Sequence, residues 1–376
     1  MSRIFIGSEA VAEAEKIIES TRPYFKQTNI HYIANLDNSV RKTDQDEHAH
    51  ISFRADSEAK TNIALLRIAE LGFSHSLYLS DSDFLAGVST QAIDWTKPIQ
   101  IAYSGGKSST TEGIRCLLPI ICDLRSINYS NSGVTGRVLG WNKYLSTTIL
   151  QSNGIPTPRS WLFKKKEGWI SSISPESGID LIIKNNTEAW GLGVSNEPVL
   201  KNKSIQEVEE ECIKICDETY LDELIVQEFI EGPEIYTPVF KLFSNYLVFT
   251  PMEIKIKTPE WSVGRPIGFK LNTLKKHYFQ PFSSAKISHK ISKIAAEAME
   301  WLNIDIISRM DFRIDSLGTP RLFDMAEVPG LGEGHAISQS LKASGANFDA
   351  WELMLALNIQ RILAKKTSME ASVLSG

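Results

Sequence analysis

The chain has 376 residues, enough for two or three domains, and its 42% hydrophobic and 23% charged residues suit a globular protein with a substantial core. A formal net charge of -5 offers no basic face for general nucleic-acid binding. No apolar run reaches the roughly 18 residues of a membrane span, and acids interrupt the N-terminal stretch where a secretion signal needs an apolar centre. The four cysteines lack zinc-ribbon spacing and read as buried thiols, so a cytoplasmic location is expected.

Arg3 to Gly7 has strand character, and Ser8 caps a helix from Glu9 to Glu19 with Val11, Ala14, Ile17 and Ile18 on one face. Asn29 to Ala34 is a second strand. The polar stretch Asn38 to His50, with its DQDEHAH run, reads as a surface loop and not as a metal site, because no scaffold signal flanks it. A helix over Ala59 to Leu71 stops at Gly72. Strands follow at Ser76 to Ser80, Ile99 to Tyr103 and Ile127 to Tyr129, with a helix over Glu112 to Leu124 between the last two. This alternation predicts an open α/β sheet over the first 130 residues or so. The loop Tyr103 to Ser108 (YSGGKS) follows a strand end and is a candidate ligand rim, without Walker spacing.

Trp141 to Ser152 reads as one helix ended by Gly154. Asp180 to Lys184 is a strand with Lys184 at its exit, and the NNTEAWGLGVS loop follows. Ser204 and Glu207 form a capping box for a helix to Glu218. Strands at Glu223 to Ile230, Glu234 to Phe240, Tyr246 to Thr250 and Glu253 to Lys257 make this half antiparallel α+β. The polar loop Pro259 to Lys276, containing Trp261, is long enough to suggest a function. An amphipathic helix spans Ser284 to Leu302, the last helix spans Trp351 to Leu363, and the tail after Lys365 is expected to be disordered.

Between those helices lies SRMDFRIDSLGTPRLFDMAEVPG, Ser308 to Gly330. Arg309, Asp311 and Arg313 alternate with apolar residues, and turn residues separate them from a second strand. Folding the hairpin between Leu317 and Gly318 sets Asp311 opposite Asp324, about 4.5–5.5 Å away. Two carboxylates that close call for a Mg²⁺ ion, or else pair with Arg309, Arg313 and Arg321 on a solvated hairpin. Lys143 and Lys184 supply positive charge, and Gly191 and Gly193 let backbone amides approach a phosphate. Glu234, after a Gly-Pro turn, can take ribose hydroxyls, and Arg309 can steady charge on a transferring group. Together these residues suggest a site for phosphoryl transfer.

The pieces occur in an order that resembles the ATP-grasp superfamily and, within it, the D-alanine–D-alanine ligase branch. LLPIICDLRSINYSNSGVTGRVLGWNKYLSTTILQSNGIPTP is similar to that branch's segment joining the first and central domains. IKNNTEAWGLGVS resembles its lysine and glycine loop, VQEFIEGPEI its hinge strand, and SRMDFRID with LFDMAEVPG its magnesium strands. The resemblance implies an α/β N-terminal domain (1–133) followed by an α+β ATP-grasp fold with central (134–225) and C-terminal (226–376) subdomains. It implies that Lys143 and Lys184 contact ATP phosphates beneath a loop carrying Glu188, Trp190, Gly191 and Gly193. Gln227, Glu228 and Phe229 would line the adenine pocket, and Glu234 would bind the ribose. Asp311, Asp324 and Glu327 would hold Mg²⁺ or Mn²⁺, and Arg309 would stabilise a tetrahedral intermediate. Trp190, Gly330 and His335 would shape the acceptor site.

The implied activity is ligation of a small carboxylate to a small amine through an acyl phosphate, in specialised biosynthesis. It involves no nucleic acid or membrane, and family habit suggests a homodimer. Three departures bear on substrate. Ala326 stands where the ligases have a metal-binding asparagine, and Glu327 beside it faces away on a regular strand, reaching the metal only if the strand twists or bulges. Trp190-Gly191 replaces a serine pair, and the N-terminal signature that grips the first D-alanine is not visible before Ala59. The dipeptide pocket is therefore expected to be lost. Two alternatives are ATP-dependent condensation of an amino acid onto a carbonyl-type carbon, as in mycosporine-type pathways, and a non-catalytic ATP-binding regulator. Ala326 favours the regulator, and the intact set of Lys143, Lys184, Arg309, Asp311 and Asp324 opposes it.

Overall fold

The computed structural model describes residues 2–36, 57–90, 93, 95–105, 112–187, 199–219, 221–257 and 277–374. The DQDEHAH run, the loop bearing Glu188, Trp190, Gly191 and Gly193, and the whole long loop Pro259 to Lys276 with Trp261 lie outside the described residues.

The chain opens with β1 (Arg3–Ile6) and the helix Ser8–Thr21. A parallel sheet follows, from β2 (Thr28–Ile33), β3 (Ser74–Tyr78), β4 (Ile99–Ser104) and β5 (Asn128–Tyr129), ordered β3-β2-β4-β5. A second, antiparallel sheet comprises β6 (Ser160–Lys164), β7 (Gly168–Trp169), β8 (Leu181–Asn185) and β9 (Glu223–Glu228), ordered β7-β6-β9-β8. The third sheet contains β10 (Glu234–Leu242), β11 (Asn245–Val248), β12 (Met252–Ile256), β13 (His277–Pro281), β14 (Ile307–Ile314) and β15 (Pro320–Ala326). Its spine is β10, which pairs with β14 along one edge and with β11 and β12 along the other.

The first strand is not where its place in the chain suggests. Instead of opening the N-terminal sheet, β1 adds parallel to β11, with Arg3 facing Asn245 and Ile6 facing Val248, and so extends the third sheet. The helix after it shares one core with the C-terminal helix: Phe5, Ile17 and Ile18 belong to the cluster of Trp351, Leu355 and Ile359. That C-terminal helix also reaches the N-terminal sheet, where Trp351 packs edge-on against Tyr103 at 4.7 Å. Arg22 and Arg67 clamp its first turn through Glu352 and Asp349.

Three helices differ from the sequence reading, and the first of them, expected over Glu112 to Leu124, is broken at Cys116 into Glu112–Arg115 and Leu117–Arg125. The run Trp141 to Ser152 is two helices, Val134–Trp141 and Lys143–Ser152, because Asn142 is extended and its side chain accepts from the Leu145 amide, restarting the helix. The last helix spans Ala350–Leu374, past the expected end at Leu363 and through the tail, since no glycine or proline stops it there. The cysteines are free and buried, with Cys212 and Cys216 inside the core of the second sheet. No described helix is long and apolar enough to cross a membrane.

Phe5 is buried on the segment that joins the third sheet. Phe5→Ala is expected to cost about 3–5 kcal/mol in urea unfolding. Amide exchange should then quicken in β11 and the helix Ser8–Thr21; faster exchange confined to β2 and β4 would contradict the placement of β1.

Candidate functional site

The hairpin of β14 and β15 turns about Leu317: Arg313 faces Arg321 and Ile314 faces Pro320. Asp315 holds the turn, accepting from the amides of Leu317 and Thr319 at 3.0 and 2.8 Å. That centre alone would leave Asp311 and Asp324 out of step. The register shifts at Phe312, which faces Leu322, so Phe323 is an extra residue and Asp311 comes to face Asp324. The expected opposition of the two acids therefore depends on a bulge that a symmetric fold of the sequence does not contain.

One face of this sheet carries a row of buried charge. Asp311 is gripped by Arg309, with Nε to Oδ1 at 2.8 Å and Nη2 to Oδ2 at 2.6 Å. Arg309 also lies over the Tyr236 ring at 4.2 Å, and Tyr236 donates to Glu234 Oε1 at 2.9 Å. The other Glu234 oxygen, Oε2, accepts from Arg313 Nη2 at 2.7 Å. Burial, together with the Glu234 charge, pushes the Tyr236 phenol well above its ordinary range, so it remains a donor. Gly232 permits this arrangement: a Cβ there would lie 2.0 Å from the Ile314 carbonyl oxygen.

The second sheet supplies the opposing wall. Lys184, at the end of β8, donates to Gln227 Oε1 at 2.8 Å and sits 4.7 Å from the centre of the Phe323 ring. The bulge turns both Phe323 and Asp324 toward it, since Asp324 acts on the Lys184 charge as well. Burial lowers the Lys184 ammonium to about 8; Asp324 and Glu234 raise it, while Lys143 and Arg313 lower it further. Lys143 opens its helix beside β8: its amide donates to the Asn186 carbonyl, and Asn186 Nδ2 bonds both Asn142 and Glu223. Asn186 thus fixes the two lysines relative to one another.

The remaining predicted residues separate into several places. The structure brings together Lys143, Lys184, Gln227, Glu234, Arg309, Asp311 and Asp324. Phe229 lies under the Arg313 guanidinium at 5.0 Å. The Glu228 side chain pairs with Arg159 at 3.1 Å, on the face of β9 opposite Gln227. Gly330 and His335 meet: a Cβ at Gly330 would lie 2.5 Å from His335 Nδ1, and His335 begins the helix Ala336–Ala343. Glu327 is not with the acid pair. β15 ends at Ala326, and the Glu327 side chain packs against Gly140 on the other side of the strand. As a metal ligand beside Asp311 it is therefore corrected. Arg313, Tyr236 and Phe323 are the members that sequence pattern did not assign to the site; period-2 spacing from Asp311 and from Glu234 is the signal for the first two.

The donor set suits a divalent cation. Burial, opposed by Arg309 and reinforced by Asp324 and Glu234, pushes the Asp311 carboxyl up to about 7. Asp311 and Asp324 would hold the cation, and Ala326, facing Arg309 across the hairpin, adds no third ligand. Glu234 and Arg313 form a buried pair whose rupture strands a charge. Arg313→Met is expected to destabilise the protein by about 3–5 kcal/mol in urea unfolding; a loss below about 1 kcal/mol would show that the pair does not carry the hinge.

Comparison with known proteins identifies the family. The family described as D-ala D-ala ligase C-terminus matches residues 149–356. The D-alanine–D-alanine ligase of Azobacteroides pseudotrichonymphae is 25% identical over 240 residues, covering 63% of this chain and 71% of that protein. The corresponding ligase of Pelotomaculum thermopropionicum is 24% identical over 251 residues, covering 65% and 73%. Among solved structures, the D-alanine–D-alanine ligase from Bacillus anthracis complexed with ATP superposes with a TM-score of 0.64 at 15% identity, over 91% of this chain and 99% of that one. The VanG D-Ala:D-Ser ligase from Enterococcus faecalis gives 0.60 at 16% identity, over 88% and 97%. The chain belongs to the D-Ala–D-Ala ligase C-terminal family and is an ATP-grasp ligase that uses ATP and Mg²⁺ to form a carbon–nitrogen bond.

Proposed function

We propose that this enzyme activates a small carboxylic acid as an acyl phosphate and passes it to a small amine, in specialised biosynthesis and with substrates other than two D-alanines. The observation that carries the reading is the buried charge row of β10, β14 and β15 facing Lys184 across the gap between two sheets. Lys184 and Lys143 bind the nucleotide phosphates, with Lys184 oriented by Gln227 and Phe323. Asp311 and Asp324 hold Mg²⁺, which when bound offsets negative charge on the phosphates. Arg309, fixed by both Asp311 oxygens, places a positive charge where the attacked carbon develops an oxyanion. Glu234 receives the ribose, its carboxylate aimed by Tyr236 and Arg313. Support for substrates other than two D-alanines comes from Ala326 and from the missing N-terminal D-alanine signature.

Phosphate release from ATP, with pooled amino acids and small acids and with Mg²⁺ present, tests the reading. Release should require a particular acid and amine, and Asp311→Asn should lower it at least ~100-fold. Release without any acceptor, or surviving that substitution, would count against a ligase; nucleotide binding without turnover in any pool would favour a regulator.

Lys184 adds a pH dependence. Its ammonium titrates near 8 in the free site, and the nucleotide binds the protonated form. Affinity for a fluorescent ATP analogue should be flat below pH 7 and weaken by up to about tenfold per pH unit above 8. Lys184→Arg should flatten that slope.

A further inference from the structure

The two lysines assigned to the phosphates sit on different segments: Lys143 opens the helix Lys143–Ser152, and Lys184 lies near the end of β8. An adjoining cleft, between the end of β4 and the chain leaving β15, is lined by Arg115, Arg137, Trp141 and Glu327. It has room for about one water molecule, so its side chains serve the structure around them and not a ligand.

Arg115 is 8% exposed. It ends the short helix Glu112–Arg115, and the helix after it, Leu117–Arg125, packs on the N-terminal sheet through Leu118 and Ile121. Its backbone is held as well. Arg137 Nη1 donates to the Arg115 carbonyl at 3.2 Å and Nε to the Ser132 carbonyl at 3.4 Å, while Nη2 is buried with no acceptor. From this fixed base the Arg115 guanidinium makes two contacts of different kinds. Its carbon lies 3.7 Å from the centre of the Trp141 ring, and Nη1 donates to the Thr187 carbonyl at 2.8 Å. Trp141 comes two residues before Lys143, and Thr187 three residues after Lys184. One side chain from the N-terminal region thus ties down both lysine-bearing segments.

The two segments also bond to each other. The Lys143 amide donates to the Asn186 carbonyl at 3.0 Å and the Tyr144 amide to Asn186 Oδ1 at 2.8 Å, while the Thr187 amide donates to Asn185 Oδ1 at 3.0 Å. Arg115 takes the next carbonyl along the chain. A guanidinium is suited to this place because it is planar: it offers a face to the ring while its N–H edge points at the carbonyl, and a lysine ammonium cannot do both. We propose that Arg115 is a positioning residue for the nucleotide phosphates: stacked on Trp141 and hydrogen-bonded to Thr187, it sets the spacing between Lys143 and Lys184 without touching the nucleotide. The proposal rests on the phosphate roles given to the two lysines above.

A double-mutant cycle tests it, reading the Kd of a non-hydrolysable ATP analogue with Mg²⁺ by calorimetric titration of the full chain. Arg115→Lys keeps the charge but loses the stacked, in-plane geometry, and should weaken the analogue at least about fivefold. Lys184→Met should weaken it at least as much. In the Lys184→Met background, Arg115→Lys should cost less than about twofold more, because one of the two lysines that Arg115 spaces is already gone. Trp141→Leu retains apolar bulk and removes the same contact from its other side. It should reproduce both results, which keeps the cycle valid if Arg115→Lys does not fold. The proposal is overturned if either folded variant binds the analogue within about twofold of the wild type, or if its effect is as large in Lys184→Met as alone, the mark of a general loosening. If Lys184→Met itself binds as the wild type does, the phosphate role of Lys184 falls and this proposal with it, so the two failures are told apart.

Discussion

Two buried carboxylates, Glu234 and Asp311, share one sheet face with the half-buried Asp324, and buried charge persists only when it is matched. Arg313 and Tyr236 occupy Glu234, Arg309 occupies Asp311, and Asp324 is left looking toward Lys184. Each match requires β10, β14 and β15 to stay in register, because a slip of one residue would move every charge to the apolar side. On that apolar side Ile235, Met310, Phe312 and Leu322 form a closed core, which penalises the slip. Chemistry and packing are therefore two faces of one alignment, and the bulge at Phe323 is the local irregularity that both accept.

The same strand joins two environments. Side chains before its end belong to the charge row, and Glu327, just beyond, lines the cleft of Arg115 and Arg137. The helix Val134–Trp141 presses on this junction through two glycines one turn apart. Gly136 sits against the Asn303 carbonyl and Gly140 against Glu327, each closer than a methyl group would permit. The charge row and the far-side cleft thus share a single support.

What could be read from the sequence was whatever has a short-range signature. The alternation of Arg309, Asp311 and Arg313, the lysine at a strand exit, and the Ser204–Glu207 capping box all appear where their patterns place them, the last with the Glu207 carboxylate accepting from the Ser204 amide at 2.9 Å. Asn142 was legible in principle, since asparagine is a strong helix cap, but an unbroken apolar period masks it. The orientation of Glu327 depends on where pairing ends, and the isolation of Arg137 depends on neighbours from distant segments; neither has a periodic signal. The glycine loop, where the sequence reading put Glu188, Trp190, Gly191 and Gly193, falls outside the described residues.

The place of β1 is the least local feature of all, because Arg3 finds its partner at Asn245. At a synthesis rate of roughly 5–20 residues per second, the partner strand follows the first by roughly ten to fifty seconds. During that interval the opening segment has no sheet to join, while β2 to β5 can already assemble behind it. The β10–β11 ribbon must therefore form with one edge open and capture its last strand from the start of the chain. The order of birth along the polypeptide and the order of closure in the fold run in opposite directions at this edge.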